Sequence, residues 1–265
     1  MATGFRGPLR YRNTGHPLDG APLEAVNRLS VLAKDNTPEG VRLASYVSDF
    51  HLWEGPVAKT AELAGQGGWI ITTVDSGGDL AEVVDVRDSG TYGILRMLTN
   101  DADNDNLCLR QNGSPWKYVS GKRLWFAIRC APQTAADGEL FFGLAIEGDE
   151  DPFDTSPTDG FFFEKAETAT KMDFHARKAG TSTERTSIDT SVMVDATMHE
   201  YAFQVDAQGN IHVYYDGTEV SAAAIAAGNA NIPDDEDLGL YFAVQTGDAT
   251  TRYFDIDHIL IAQER

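Results

Sequence analysis

The sequence predicts an all-β fold in which two antiparallel sheets pack face to face as a sandwich. Residues 199–220 carry the strongest signal, because Tyr201, Phe203 and Val205 alternate with small or polar residues at the period of a half-buried strand. A second alternating run ends at Asp216-Gly217, a dipeptide typical of a tight hairpin turn. Ten or more such runs lie between turn residues without long amphipathic helices, which favours a sandwich over a parallel α/β sheet.

The predicted strands share short apolar or aromatic runs that end in glycine, asparagine or aspartate. In chain order they cover residues 69–74, 93–98, 106–110, 124–130, 140–146, 160–164, 172–177, the two halves of 199–220, 238–245 and 253–261. Residues 221–227 are rich in alanine and predict a single short helical turn.

Residues 1–48 differ from this pattern, because glycine and proline interrupt them frequently. We expect an extended N-terminal arm over residues 1–48, followed by the sandwich over residues 49–265. The arm holds six Lys or Arg and four acids, a net charge of +2, which leaves 15 bases and 37 acids, a net charge of −22, in the remainder. Two interpretations of the arm stay open: a flexible leader, or a segment that docks on a partner.

Charge and composition exclude several classes of protein. An acidic body repels nucleic acid and acidic membrane surfaces, because binding phosphates requires a positive patch, so neither is an expected partner. No apolar run reaches the length of about 18 residues that a membrane span needs. The first residues lack the apolar core of a secretory signal, so we expect synthesis in the cytoplasm. Cys108 and Cys130 lie in apolar runs and are expected to be reduced and buried.

Asp255 and Asp257 are the candidate pair for general acid and base catalysis. They lie two residues apart on a predicted strand and therefore share one face of the sheet. Two carboxylates can hydrolyse a glycosidic bond, one as proton donor and one as nucleophile or base. A retaining glucanase of this architecture is expected to show a Glu-x-Asp-x-Glu strand, which is absent here. We therefore expect solvated acids at these positions and no catalytic residue in the chain.

A calcium site is the candidate metal centre. Residues 147–154 form an acidic loop between two predicted strands, and Asp149, Asp151 and Asp154 supply the carboxylate oxygens that Ca²⁺ prefers. The alternative interpretation is an acidic, solvated turn with no bound cofactor.

Trp116 and Tyr118 are the candidate ligand-binding residues. They lie in the turn-rich segment 112–118, whereas Trp69 and Trp125 lie in apolar runs and are expected in the core. Aromatic rings in a turn can stack on the apolar face of a sugar. This segment is therefore the predicted platform for a glycan.

Residues 141–165 combine a Gly-Leu strand, an acidic Asp-Pro loop and an Asp-Gly start to the next strand. Together with residues 205–220 and 253–259, this pattern resembles the concanavalin A-like lectin/glucanase superfamily over about residues 45–263. It is similar in particular to the versions encoded among bacteriophage structural genes. The resemblance implies a jelly-roll sandwich that serves as a head decoration (cement) protein, a homotrimer bound to the major capsid protein on the virion surface.

The leading functional prediction is a non-enzymatic protein that binds and stabilises the outside of a phage head. Arg6, Arg10, Tyr11 and Arg12 of the arm are the residues predicted to contact the capsid. The alternative is a carbohydrate-binding virion module that recognises glycans on the host surface. A third hypothesis is a glycoside hydrolase with a degenerate site at Asp255 and Asp257.

Overall fold

The computed structural model describes residues 43–48, 63–64, 69–74, 83–86, 94–132, 137–146, 151–189 and 193–264. For residues 43–48, 63–64, 74 and 83–86 the description is limited to the backbone. The strands in these ranges are β1 Leu43–Ser48, β2 Leu63–Ala64, β3 Trp69–Val74, β4 Val83–Val86, β5 Leu95–Leu98, β6 Asn106–Gln111, β7 Leu124–Pro132, β8 Gly138–Ala145, β9 Gly160–Lys165, β10 Asp173–Lys178, β11 Thr181–Arg185, β12 His199–Val205, β13 Ile211–Tyr215, β14 Thr218–Glu219, β15 Gly239–Thr246 and β16 Tyr253–Glu264.

These strands form two antiparallel sheets. Sheet 1 has the order β14-β13-β12-β7-β16-β5-β4, and β1 also pairs with β16. Sheet 2 has the order β11-β10-β9-β8-β15-β6-β3-β2. Within sheet 1, β16 is central, because it pairs with β7 along one edge and with β5 and then β1 along the other. The arrangement confirms the predicted all-β, two-sheet antiparallel sandwich.

Every strand predicted from the sequence is present, with its ends shifted by at most a few residues. The predicted helical turn is a 3₁₀ turn at Ser221–Ala223. The hairpin turn is also confirmed, since Asp216 and Gly217 have φ values of 48° and 73°, the left-handed geometry that a type I′ turn requires. The sequence pattern did not predict β1, β2, β4, β11 or β14.

The predicted boundary between arm and sandwich is displaced. Residues 43–48 were expected in the arm, but Leu43–Ser48 pair with β16 from Glu264 to Ile259 and so belong to sheet 1. The run follows Pro38 and Gly40, and the frequent glycine and proline before it are the reason that composition assigns it to the arm. The sandwich therefore begins at Leu43 or earlier, and residues 1–42 lie outside the described residues.

Aromatic side chains fill the space between the two sheets. Phe163 on β9 contacts Phe142, Phe174, Tyr201 and Phe203, with ring centroids 5.1 to 6.5 Å apart, and all five rings are buried. Such pairs add about 0.5–1.5 kcal/mol each beyond the area that they bury. Because Tyr201 and Phe203 belong to sheet 1 and the other three rings to sheet 2, the cluster joins the sheets.

Both cysteines are free and buried, as expected. Cys130 faces the core between the sheets, and burial raises the pKa of its thiol well above the usual value, which disfavours the reactive thiolate form. Within the ranges given above, no helix is both long and apolar enough to cross a membrane.

Candidate functional site

The carboxylate of Asp255 is buried and bound to an arginine. Asp255 on β16 lies directly opposite Arg96 on β5, and the guanidinium Nε and Nη2 donate to the two carboxylate oxygens, each at 2.7 Å. Arg96 in turn lies 3.6 Å above the ring centroid of Tyr253. The expectation of a solvated acid is wrong for Asp255, whose exposed fraction is 2%.

Asp257 lies at a β-bulge in β16. The pairing with β7 shifts between Ile256 and His258, so Asp257 is the extra residue of the bulged strand. Its carboxylate accepts a hydrogen bond from Arg129 Nη1 at 2.5 Å and lies 3.5 Å from the His258 Nδ1 atom. The nearby His258 ring and then the hydrogen bond from Arg129 lower the pKa of Asp257 to about 2.

These contacts argue against hydrolysis by the predicted pair. A general acid must hold a proton near neutral pH, and the low pKa of Asp257 prevents this. Asp255 is already saturated by a bidentate arginine and is shielded from solvent. The two carboxylates are therefore structural partners of arginines on sheet 1.

Trp116 and Tyr118 do not present their rings to solvent. Trp116 is 4% exposed and forms an isolated bridge with Leu238, and its indole Nε1 donates to the Gln111 side chain at 3.3 Å. Tyr118 is 6% exposed and packs edge-on against Phe161 in the core. The turn-rich sequence suggested a surface platform, but the backbone bridge turns this segment inwards.

The predicted calcium loop is only partly described. Asp149 lies outside the described residues. Asp151 Oδ1 accepts hydrogen bonds from the backbone N–H groups of Phe153 and Asp154, at 3.0 and 3.2 Å, so it already stabilises the turn. Asp154 is exposed. Across the parts of the chain that the structure describes, no three His, Cys, Asp or Glu residues are grouped to hold a metal. The predicted capsid-binding residues of the arm also lie outside the described residues.

The outer face of sheet 2 carries an aromatic cluster that the sequence analysis missed. Phe141, Phe162 and Tyr241 pack together with centroid distances of 4.7 and 5.2 Å, and Phe153 from the loop after β8 covers them. His175 on β10 stacks on Phe162, with 5.0 Å between ring centroids and 14° between the planes. The sequences of β8 and β9 carry a signal for this covered outer face. Both strands are apolar on both faces, which is typical of a strand covered on both sides.

Four carboxylates surround this aromatic cluster on neighbouring strands. Asp173 on β10 lies directly opposite Glu164 on β9, and Glu184 on β11 lies directly opposite His175. Glu139 on β8 is two residues from Phe141, the register partner of Glu164. The His175 Nε2 atom is 3.6 Å from Glu164 Oε2. We call Glu139, Glu164, Asp173, Glu184 and His175 the outer acid cluster.

The pKa values of Glu139, Glu164, Asp173 and His175 are displaced towards the uncharged forms. Burial, followed by the charge of Glu139, raises the pKa of Glu164 to about 7. Burial also raises the pKa values of Glu139 and Asp173. Burial, followed by the charge of Arg177, lowers the pKa of His175 to about 4. Desolvation disfavours a charged group of either sign, which explains both directions.

Among the described residues, two shallow recesses border sheet 2. One is lined by Arg110, Tyr241 and neighbours, and the other by Glu139, Tyr253 and neighbours. Each has room for about one water molecule, far less than a pocket for a small molecule needs. A ligand of these regions would therefore lie on the surface and not inside the protein.

The chain matches no protein-family model and no curated protein sequence. Its fold is similar to several solved structures. A protein of unknown function from Shewanella oneidensis MR-1 has 14% sequence identity and a TM-score of 0.54, over 92% of this chain and 94% of that one. Endo-1,3-beta-glucanase from Streptomyces sioyaensis has 13% identity and a TM-score of 0.54, over 83% and 96%. Lectin II from Ulex europaeus has 12% identity and a TM-score of 0.52, over 83% and 98%.

The class of protein that the architecture defines is the concanavalin A-like jelly-roll sandwich. The similar structures include both a lectin and a glucanase, and identities this low show the fold alone. The predicted jelly roll of this type is therefore confirmed.

Proposed function

We propose that the chain is a non-enzymatic protein that binds the outside of a bacteriophage head as a trimer and stabilises it through contacts with the major capsid protein. The observation that carries the non-enzymatic part is the neutralisation of Asp255 and Asp257 by Arg96 and Arg129. The sandwich has a large shared core, so it can serve as a rigid body without a metal or disulfide. The capsid role itself rests on the sequence resemblance and on charge.

The position of β1 supports a role of the N-terminal segment in attachment. Leu43 pairs with Glu264, so residues 1–42 join the sandwich at the edge of sheet 1 beside the C-terminal end of β16. These residues hold all the bases of the predicted arm, and the sandwich is strongly acidic. A basic segment leaving one edge of an acidic body can bind a surface while like charges keep the bodies apart. Binding only to the assembled shell would stabilise it by mass action.

Removal of residues 1–20 tests this proposal, because it deletes Arg6, Arg10, Tyr11 and Arg12 and leaves β1 intact. We expect the truncated chain to keep the melting temperature of the full chain and to lose its binding to purified heads that lack the protein. Co-sedimentation and electron microscopy of the particles give the readout. Full occupancy of the heads by the truncated chain would refute the proposed role of the arm.

A second candidate function is carbohydrate binding at the outer face of sheet 2. The partly exposed His175 ring, which stacks on the buried Phe162, lies beside the carboxylates of Glu164 and Asp173, so that a ring face is next to hydrogen-bond acceptors, the combination that sugars require. Lectins share this sandwich fold. This face replaces Trp116 and Tyr118 as the proposed position of a glycan.

A glycan array followed by calorimetry tests this second function. The carbohydrate-binding function would be supported if His175→Ala weakens the affinity for a glycan at least tenfold and the control His212→Ala on sheet 1 leaves it unchanged. No binding to any glycan at millimolar concentration would exclude it. Release of sugars by the wild type but not by Glu164→Gln would instead identify an enzyme and contradict the leading proposal.

A further inference from the structure

The Glu164–His175 pair is a half-buried acid and base on the outer face of sheet 2 with few compensating charges. The two side chains are 27% and 13% exposed, and their nearest oxygen and nitrogen are 3.6 Å apart. The His175 ring is held in place by its stacking on Phe162. Neither side chain contributes to the core between the sheets, and the proposed attachment through the N-terminal arm does not use them.

The charged groups around the pair are mostly acids. Glu139 approaches from β8, Asp173 and Arg177 from β10, and Glu184 from β11, and Arg177 is the cation that acts on both members of the pair. Asp151 from the loop after β8, Lys165 from β9 and Glu167 from the turn after β9 act on Glu139. The Lys165 ammonium group is itself bound to the carbonyl oxygens of Gly138, Ala166 and Glu167.

Like charges directly opposite each other destabilise a pair of strands. Asp173 and Glu164 have this relationship, and so an ionised Glu164 repels Asp173 across the β9–β10 ladder. A proton on Glu164 or on His175 changes the net charge of the pair from −1 to 0 and weakens this repulsion. The stability of the strands β9, β10 and β11 is therefore linked to that proton.

We propose that Glu164 and His175 act together as a proton-holding pair that keeps the β9–β10–β11 edge of sheet 2 tightly closed at weakly acid pH and loosens it when the proton leaves. The two groups have opposite effects when considered singly. The folded state binds a proton on Glu164 more tightly than the unfolded chain does, so this group makes stability fall as pH rises from 4.5 to about 7. His175 binds its proton less tightly when folded, so it makes stability rise from about pH 4 to 6.5.

The two effects offset each other between pH 4.5 and 6.5, the unfolded-state values, and only the Glu164 effect remains above pH 6.5. Burial raises the pKa values of Glu139 and Asp173 as well, so these carboxyl groups act in the same direction as Glu164, and the cluster is expected to lose stability as pH rises to about 7. This inference is independent of both proposed functions, because it concerns the free protein and needs neither a capsid nor a sugar.

Single variants separate the two effects in the full-length chain. Thermal unfolding of wild type, Glu164→Gln and His175→Gln is measured from pH 4.5 to 8.5. We expect the melting temperature of Glu164→Gln to rise with pH and to exceed that of the wild type at pH 8 by about 2 to 4 °C. The melting temperature of His175→Gln is expected to fall with pH. The control Glu236→Gln removes the same charge outside the outer acid cluster and outside β9–β11, and it is expected to follow the wild-type profile.

Parallel pH profiles for the wild type and both variants would overturn the proposal. Because a variant can fail to fold, ¹³C NMR of the wild-type side-chain carboxyl groups gives a second test. A Glu carboxyl that titrates above about pH 6, well outside the usual range, supports the pair, and titration of all Glu carboxyls below about pH 5.5 contradicts it. Hydrogen exchange, corrected for its intrinsic pH dependence, is expected to quicken at least threefold in β9–β11 from pH 6 to 8 and to stay constant in β7 and β12.

Discussion

Two arginines determine the state of the carboxylates on β16. The Arg96–Asp255 pair joins β5 to β16, and the Arg129–Asp257 pair joins β7 to the bulge in β16. The sequence places both acids on one strand face but gives no sign of their partners, which are 159 and 128 residues away in the chain. Asp255 and Asp257 therefore have a structural role, although local sequence patterns predict solvent-exposed acids at both positions.

The Arg96–Asp255 pair is expected to contribute strongly to stability. Arg96→Ala leaves the buried Asp255 carboxylate without its bidentate partner, which is expected to lower the free energy of unfolding by about 3 kcal/mol. Urea denaturation measures the change. As a control, Lys178→Ala removes an exposed ion pair with Asp234 and is expected to lower the free energy of unfolding far less, because solvent screens exposed charges. Equal losses in the two variants would contradict this account.

A second prediction concerns two glycines with left-handed backbones. Gly209 and Gly228 have φ values of 91° and 77°, and an added Cβ at Gly209 would lie 2.8 Å from the Tyr118 hydroxyl, whereas Gly228 has open space. Gly228→Ala should cost only the backbone strain of about 1–2 kcal/mol. Gly209→Ala should cost at least about 1 kcal/mol more, because Tyr118 is fixed in the core. The two free energies of unfolding are compared by urea denaturation, and equal values would exclude a tightly packed Tyr118.

Among the elements, β16 organises sheet 1, because three strands pair with it. Its bulge at Asp257 keeps Ile256 and Ile259 on the core side although they are three residues apart. Strict alternation would place those two side chains on opposite faces. The bulge therefore allows a long strand to keep its apolar residues buried while Asp257 faces Arg129.

Acid should weaken the contribution of the Asp257 bulge. The folded-state pKa of Asp257 is about 2, below the unfolded value of 3.8, so its contribution is present above about pH 4 and is lost as pH falls towards 2. Asp257→Asn is therefore expected to lower the melting temperature at pH 7 and to have little effect near pH 2. Calorimetry at the two pH values checks this. If Asp257→Asn lowers the melting temperature by the same amount at both pH values, the charge of Asp257 does not contribute to stability.

The element β1 gives a prediction about truncation. Removing residues 1–42 keeps β1, whereas removing residues 1–48 leaves Ile259–Glu264 of β16 without a partner on one side. The loss of β1 in the shorter chain should lower the melting temperature sharply and cause aggregation, because an exposed edge of a long strand pairs with other chains. Thermal scans with light scattering test this. Identical behaviour of the two truncated chains would mean that β1 does not stabilise the sheet.

The strands that could be predicted are those whose residues alternate or are wholly apolar, such as β12, β13 and β9. Among the strands that were missed, β2 and β14 are short, and β11 is polar, with the sequence Thr-Ser-Thr-Glu-Arg. Those strands form because a neighbouring strand in the sheet supplies the partners for their backbone hydrogen bonds. The position of the Trp116 ring could not be predicted for the same reason, since its bridge partner Leu238 is distant in the chain.

At the scale of the whole molecule, charge opposes folding. The chain has a formal net charge of −20 at pH 7, and such an excess destabilises a compact state through self-repulsion. The outer acid cluster is a local instance, in which burial and repulsion together raise the pKa of Glu164.

Salt should therefore stabilise the protein. Raising the NaCl concentration from about 10 to 500 mM shortens the screening length to a few ångström and is expected to raise the melting temperature. The chain without residues 1–42, which has a net charge of −22, is expected to gain more. Differential scanning calorimetry compares the two chains. A melting temperature that falls or stays constant with salt in both would show that self-repulsion is unimportant.

The central position of β16 also affects biosynthesis. The ribosome releases this strand after all the other described strands, yet β7, β5 and β1 each need it as a neighbour. Sheet 1 consequently cannot be completed until residue 264 has emerged, although β7 can pair earlier with β12 and β5 with β4. Such topologies fold slowly, since contacts between distant segments form late. A chaperone that shields β7 during translation would be expected to increase the yield of the native protein.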